Sequence, residues 1–570
     1  MCRCGHLIPG IPILSICIYA AIQVVSCDRK KEEAAEPYVH VKIDSTYHAM
    51  NPMDLDFDSL EMVMIDSGMA DLINAYREIR AYELPNTTPM ALLFDPIPTG
   101  FRPPEPTEKH PWNIPEGITR PAREADLAFM SIPELASLLR SGEISCLALT
   151  EFFLNRLKKY DPRLHCVVTL TEKYAIGQAR KLDAELAGGH DRGILHGIPY
   201  GAKDLFSFPG YPTTWGAGAY KEQVLDEKAG VIRKLEDAGA VLVAKTTLGA
   251  LAMGDVWFAD TTRNPWNPEE GSSGSSAGSA SATAAGLLPF AIGTETWGSI
   301  VSPSTRCGTA GLRPTYGRVT RSGAMTLSWS MDKVGPICRS ASDCAIVFDI
   351  IRGPDPDDRT LIEAGYSYPG EVDLSQLKIG YLESAFTSDY EVAGFDKKTL
   401  RVLRKLGADL VPVELLPEGI PVTALSLILE AETAAAFDEL TRSNRDTLLV
   451  RQHRFAWPNI FRTARFIPAV EYIQANRMRH DLVQEFHERM NDFDVVVTPS
   501  FHGSEQLLAT NLTGHPVVVV PNGFKENGSP TSISFLGNLF DEGVILAVAS
   551  AYQEATGFHE KRPVLFSGMD

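Results

Sequence analysis

Positive charge is scarce in this chain. Against 72 aspartates and glutamates stand 53 lysines and arginines, a formal net charge of −19 over 570 residues. Nucleic-acid binding rests on a basic surface that neutralises phosphates, so no nucleic-acid partner is expected. The acidity otherwise speaks to solubility and says nothing of a substrate. Cysteine is sparse and unpatterned. Of the nine, Cys2, Cys4, Cys17 and Cys27 sit near the start, and Cys146, Cys166, Cys307, Cys338 and Cys344 are scattered with no CxxC pair. That argues against a zinc site or a disulfide framework and leaves most of them as small buried hydrophobes, with room for one disulfide in an exported protein. The histidines show no HExxH or other metal spacing, and there is no Walker A and no dinucleotide fingerprint. Neither a metal nor a cofactor is expected. Internal repeats are missing, as is any clean linker after residue 126. With 44% hydrophobic and 22% charged residues, the composition is that of a globular protein.

A clean membrane span is also missing. The run from Leu7 to Ser26 is mainly apolar, but Pro9, Gly10 and Pro12 interrupt it, Arg3 precedes it, and "DRKKEEAAEP" follows Cys27 abruptly. A secretory signal fits this better than a span. "VVSC" resembles the bacterial lipobox, which implies cleavage before Cys27 and lipid attachment to it. A plain signal peptide and an uncleaved anchor are the alternatives. The expectation is a lipoprotein-type signal peptide over 1–26, a polar tether over 27–37, and an exported, periplasmic or cell-envelope bacterial protein held on the membrane by its N-terminal lipid.

Residues 38–123 read as a helical and proline-rich extension. "DLDFDSLEMVMIDSGMADLINAYREIRAYE" has helical spacing, and the proline-rich stretch after it has no steady period. From about residue 124 to 570 the pattern becomes regular. Amphipathic helices cover "SIPELASLLRSGEISCLALTEFFLNRLKKYDPRL" and "EKYAIGQARKLDAELAGG". "GVIRKLEDAGAVLVAKTTLGALA" reads as helix, buried strand and a further helix start. "FDVVVTPS" and "HPVVVVPNGF" read as strands, and "SISFLGNLFDEGVILAVASAYQEATG" as a strand and a last helix. Helices alternating with short apolar strands predict an α/β domain, a sheet covered by helices on both faces.

Three stretches carry the candidate chemistry. They are "LHGIPYGAKDLF" with Lys203, "GSSGSSAGSASATAAG" with Ser275 and Ser276, and "AIGTETWGSI" with Ser299. No charged residue appears from Gly271 to Ile292, and the serine-rich tract runs directly into apolar "LLPFAI", so it is not a flexible linker. Its small residues let a helix pack close to a neighbour, and its glycines let the chain turn tightly. Gly274 to Gly278 satisfies GxSxG, but a nucleophile elbow must follow a strand, and the proline-rich "RNPWNPEEGSS" reads as a loop. Serine needs a base to act as a nucleophile. No histidine stands within these stretches (His196 lies just outside), whereas a buried lysine can serve when desolvation removes its charge.

Together these stretches resemble the amidase signature family. "SGSSAGSA" corresponds to its Gly/Ser-rich core and "GTETWGSI" to its G-T-D-x-G-G-S-I. "LHGIPYGAKDLF", "TRNPWNP", "CGTAGLRPTYGRVTRSGAMTLSWSMDKVGPICRSASDCA" and "NLTGHPVVVVPNGF" extend the likeness over about residues 124–565. The resemblance implies a single large domain with a central mixed sheet, no cofactor, and a Ser–cis-Ser–Lys triad. Lys203 takes the base position, Ser275 the bridging position and Ser299 the nucleophile position. The amides of Thr296, Trp297, Gly298 and Ser299 would form the oxyanion hole. Neutral Lys203 would take the proton of Ser275 as Ser275 takes that of Ser299. Ser299 would attack the carbonyl and give an acyl-enzyme, and water would release the acid.

The chain departs from the family at three places. Glu295 stands for a usual Asp, Trp297 for a usual Gly, and Val301 for a frequent Arg, whose charge Arg306 is a candidate to replace. A tryptophan resists φ > 0, so the loop either tolerates it or has an altered oxyanion hole; in the first case the ring would shape the pocket. Asp204 reads as orienting its loop. The reading favoured is an amidase cutting a small-molecule linear amide. The rivals are the A subunit of a glutamine-dependent tRNA amidotransferase and a catalytically silent binding protein on the same scaffold. A homodimer is neither required nor excluded.

Overall fold

The computed structural model describes residues 72–81, 84–502 and 505–567. The expected signal peptide, the expected tether, Cys27 as the expected lipid site and residues 38–71 of the expected extension lie outside the described residues. Contacts divide the chain into two units, Met1–Thr88 and Pro89–Asp570. Among the described residues of the first is a helix over 72–81. The second unit holds the sheet and the candidate site.

Its strands are β1 (Val167–Leu170), β2 (Pro199–Lys203), β3 (Val241–Thr246), β4 (Arg263–Asn264), β5 (Asn267–Gly271), β6 (Phe290–Glu295), β7 (Ala310–Arg313), β8 (Lys333–Cys338), β9 (Ile379–Leu382), β10 (Leu410–Val413), β11 (Val495–Pro499), β12 (Val517–Phe524) and β13 (Pro530–Gly537). Eleven of them form one mixed sheet in the order β1-β3-β2-β6-β8-β7-β12-β13-β11-β9-β10, while β4 and β5 pair separately. β3, β2 and β6 run parallel. The strands from β6 to β11 then alternate in direction, and β11, β9 and β10 are parallel again. Tracing the reversals, the second parallel set points opposite to the first. β2, β3 and β6 are buried along their whole length. This is why β3 reads as an apolar run rather than an alternating pattern.

The helices used below are α1 (Ile132–Ser141), α2 (Cys146–Leu164), α3 (Glu172–Ala187), α4 (Gly230–Asp237), α5 (Ala277–Ala284), α6 (Val301–Cys307), α7 (Ala341–Ile351), α8 (Ala469–Met490), α9 (Glu505–Thr513) and α10 (Glu542–Thr556). Their ends follow local chemistry. Ser131 and Glu134 form a reciprocal cap at the start of α1, and Gly142 ends it in the left-handed conformation. Helices flank the sheet, and the architecture is the α/β one expected.

Two local expectations were wrong. After β3 the chain makes only a single 3-10 turn, Ala250–Ala252, with Leu251 and Ala252 at positive φ. Tertiary partners take the groups a helix would have used: Leu251 N–H donates to the Trp215 carbonyl, and the Trp457 indole donates to the Leu251 carbonyl at 2.8 Å. Before the serine tract, "NPEEG" is not loop but β5, ending at Gly271. It belongs to the small β4–β5 pair, not to the main sheet.

Residues 89–123 run over the second unit with specific anchors. His110 N–H and the Trp112 indole both donate to the Asp349 carboxylate, at 2.8 and 3.0 Å. Lys109 Nζ donates to carbonyls at the end of α7, that of Arg352 at 3.1 Å among them. An N–H donor at a helix C-terminus satisfies carbonyls that lack intrahelical donors. Cys146, Cys166, Cys307, Cys338 and Cys344 are all buried and free. Among the described residues, no helix is long and apolar enough to cross a membrane.

Candidate active site

Lys203 is the last residue of β2, and Thr294 lies near the end of the neighbouring parallel strand β6. The carboxyl ends of parallel strands are where α/β sheets open binding crevices. Lys203 is fully buried. Its Nζ donates to Ser275 Oγ at 2.8 Å, to Thr294 Oγ1 at 2.8 Å and to the Thr294 carbonyl at 3.4 Å. Burial pushes the Lys203 ammonium down to about 7, against the pull of the Asp332 and Glu295 carboxylates. A lysine so placed exchanges its proton near neutrality.

The serine tract supplies Ser275 and the wall behind it. The Gly274–Ser275 peptide bond is cis. Gly274 faces the Gly254 carbonyl so closely that a Cβ there would stand 1.9 Å from its oxygen. Helix α5 is buried throughout, and a Cβ on Gly278 would meet the Cys166 carbonyl oxygen at 2.2 Å. The small residues are therefore a packing requirement. The remaining serines bond to backbone or to other hydroxyls, Ser279 Oγ to Thr246 Oγ1 at 2.8 Å among them. Ser279 Oγ donates to the Ile292 carbonyl, Ser281 Oγ to the Arg263 carbonyl at 2.7 Å, and Ser273 Oγ pairs with Ser302 Oγ. Ser276, the serine a nucleophile elbow would have used, is tied to Thr294. Its Oγ donates to the Thr294 carbonyl and accepts from the Thr294 N–H, both at 3.1 Å.

Ser299 is 8% exposed and sits just before α6. The Ser276 N–H donates to the Ser299 carbonyl at 3.1 Å. The paired serines and the Ser299 loop are thus joined through the residue next to Ser275. Among the described residues, the amides of Thr296, Trp297, Gly298 and Ser299 have no acceptor. The two amides that follow are taken: Ile300 and Val301 N–H both donate to Glu295 Oε2, at 2.8 and 2.9 Å. Glu295 thereby closes the loop on itself and leaves the intervening amides free to converge on an oxyanion. Its Oε1 accepts from Arg313 at 2.8 Å and from Asn511 of α9 at 2.9 Å. Burial works against the Glu295 carboxylate, yet Arg313, the Val301 amide and Asn511 hold it down at about 2. Thr296 is 5% exposed, and its hydroxyl donates to Asp332 Oδ1 at 2.5 Å.

The departures from the family pattern now have physical readings. The positive φ of this loop falls on Gly298 (φ 86), not on Trp297. A tryptophan is therefore tolerated, and Trp297 is 39% exposed. Arg306 lies at the far end of α6, exposed, in an ion pair with Glu270 at 3.3 Å. The charge expected of it is directed there, not toward Ser299. Asp204 accepts from the Thr214 N–H and hydroxyl and faces Lys245 at 2.7 Å, which holds its own loop. His196 is buried, between the Leu182 carbonyl and the Arg192 N–H.

Sequence reasoning had no role for Thr294, Ser276, Arg313, Asp332 or Asn511. All five stood inside the quoted stretches, Ser276 next to Ser275 and Thr294 five residues before Ser299. Arg313, Asp332 and Asn511 lie farther along the chain, and no local spacing announces their contacts with Glu295 and Thr296.

The chain matches the model of the Amidase family over residues 148–508. It is 31% identical over 491 residues to the A subunit of the glutamyl-tRNA(Gln) amidotransferase of Acinetobacter baumannii, covering 77% of this chain and 99% of that protein. The corresponding protein of Roseiflexus castenholzii is 32% identical, covering 76% and 97%. Among solved structures, the peptide amidase of Stenotrophomonas maltophilia superposes with a TM-score of 0.66 at 28% identity, covering 76% of this chain and 98% of that one. A bacterial aryl acylamidase of the amidase signature family shares the fold, with a TM-score of 0.69 at 23% identity over 78% and 100% of the two chains.

Proposed function

This chain belongs to the amidase signature family and acts on C–N bonds, and from that premise we propose that it hydrolyses linear carboxylic amides through an acyl-enzyme on Ser299. The observation that carries this reading is the contact of a fully buried lysine with a serine. Lys203 Nζ lies 2.8 Å from Ser275 Oγ, and burial holds its ammonium near neutrality. Neutral Lys203 accepts the Ser275 proton while Ser275 Oγ accepts that of Ser299. Ser299 Oγ bonds to the carbonyl carbon, and the amides of Thr296, Trp297, Gly298 and Ser299 face the oxyanion, with the Thr296 hydroxyl on Asp332 fixing the start of their loop. The relay run backwards protonates the leaving amine as the C–N bond breaks. Water then attacks the ester and releases the acid.

One observation favours a second reading: the curated relatives at 31–32% identity are the A subunits of amidotransferases. On that reading the same residues would take ammonia from glutamine for a partner complex. Amine release from a panel of amino-acid amides, N-acyl anilides and glutamine separates the two. The proposal expects turnover of one or more simple amides by the chain alone, lost in Ser299→Ala. Activity confined to glutamine, with a copurifying partner, would replace it by the second reading.

We also propose that the enzyme is held at the cell envelope by a lipid on Cys27. The support is the interrupted apolar run and the "VVSC" sequence that closes it.

A further inference from the structure

We propose that Thr294 is the positioning residue that aims the Lys203 lone pair at Ser275. This rests on the acyl-enzyme reading of the site. Three oxygens surround Nζ: Ser275 Oγ at 2.8 Å, Thr294 Oγ1 at 2.8 Å and the Thr294 carbonyl at 3.4 Å. A neutral amine has two N–H donors and one lone pair. The carbonyl oxygen can only accept, and the Thr294 hydroxyl oxygen accepts the second N–H. Both protons are thus spent on one residue, and the lone pair faces Ser275. Without the Thr294 hydroxyl, an N–H would turn to Ser275 as readily as the lone pair does, and the bridging serine would have no base.

Thr294 is held in place for this task. Its N–H and carbonyl are both bonded to Ser276 Oγ at 3.1 Å, and it lies on the buried strand β6. The two serines of the pair therefore divide the work. Ser275 handles the proton, and Ser276 fixes the residue that orients the base. The charged groups facing Lys203 are Asp332, from the segment before β8, and Glu295, from β6. Neither is bonded to Nζ among the described residues, so orientation falls to Thr294.

The test uses Thr294→Val, which keeps the shape and removes the hydroxyl, beside Thr294→Ser. Two quantities are read: the rate at which a fluorophosphonate labels Ser299 across pH, and the titration midpoint of Lys203 by NMR of ¹³Cε-labelled lysine. The Lys203 resonance is assigned by its loss in Lys203→Met. The expected result for Thr294→Val is labelling slowed at least about tenfold and a midpoint shifted downward, because the ammonium loses an acceptor. Thr294→Ser restores both. A folded Thr294→Val with the wild-type rate and the wild-type midpoint would overturn the proposal. Should that variant fail to fold, Thr294→Ala is read in its place. If the wild type itself is not labelled at Ser299, the acyl-enzyme reading fails, and the lysine midpoint alone still decides the role of Thr294.

Discussion

Burial of Lys203 has a direct consequence for pH dependence. The side chain works as a base only when neutral, and burial holds its ammonium at about 7. Reactivity of Ser299 should therefore rise as pH increases through about 7 and level off above it, since the proton must leave before the relay can run. A fluorophosphonate labelling profile between about pH 5.5 and 9 checks this. A rate independent of pH over that range would mean that Lys203 is not the titrating base. Lys203→Ala should slow labelling by about 10²–10⁴-fold, the usual size of a general-base contribution. The residue scale is also where the sequence was most legible. Lys203, Ser275 and Ser299 stood in three short motifs. Nothing in the motifs told that Thr294 would supply two of the three oxygens around Nζ, because that depends on the pairing of β2 with β6.

At the scale of elements, the loop before α6 is governed by one carboxylate. Glu295 binds the amides of Ile300 and Val301 on one side and Arg313 and Asn511 on the other. Glu295→Gln leaves Arg313 buried without its counter-charge and should cost about 3–5 kcal/mol of stability, the usual effect of breaking a buried pair. Denaturant unfolding measures that; a loss under about 1 kcal/mol would show that the pair is not a structural clamp. The pH sign follows from the same carboxylate. Its folded value of about 2 lies below the ordinary 4.5, so between the two the unfolded chain binds more protons. The contribution of Glu295 is complete above about 4.5 and is lost as pH falls toward about 2. The main helices and the buried strands β3, β11, β12 and β13 were legible from apolar period and length. The turn at Ala250–Ala252 and the strand β5 were not, because partners distant in sequence settle them: Trp215 and Trp457 for the first, pairing with β4 for the second.

At the scale of the whole molecule, the mixed sheet has two parallel sets that point in opposite directions. Lys203 and Thr294 occupy carboxyl ends of the first set. A cavity of about 400 Å³ at the carboxyl end of β11, lined by Arg306, Glu270, Asp396 and Ser500, belongs to the opposite edge and holds none of Lys203, Ser275 or Ser299. Sequence alone could not show this, because strand direction along the sheet depends on pairing order. Membrane attachment is also a whole-molecule property. If Cys27 carries a lipid, the wild type expressed in a bacterium should fractionate with membranes, and Cys27→Ser should release it to the soluble fraction or leave it as an unprocessed precursor. A wild type found in the soluble fraction would refute the anchor. The central claim, a serine nucleophile served by a buried lysine, is tested most directly by labelling the protein with a fluorophosphonate and locating the adduct by intact mass and peptide mapping. The account predicts a single adduct on Ser299, abolished in Ser299→Ala and slowed in Lys203→Ala. A folded wild type that takes no adduct, or takes it on Ser275 or Ser276, would contradict it.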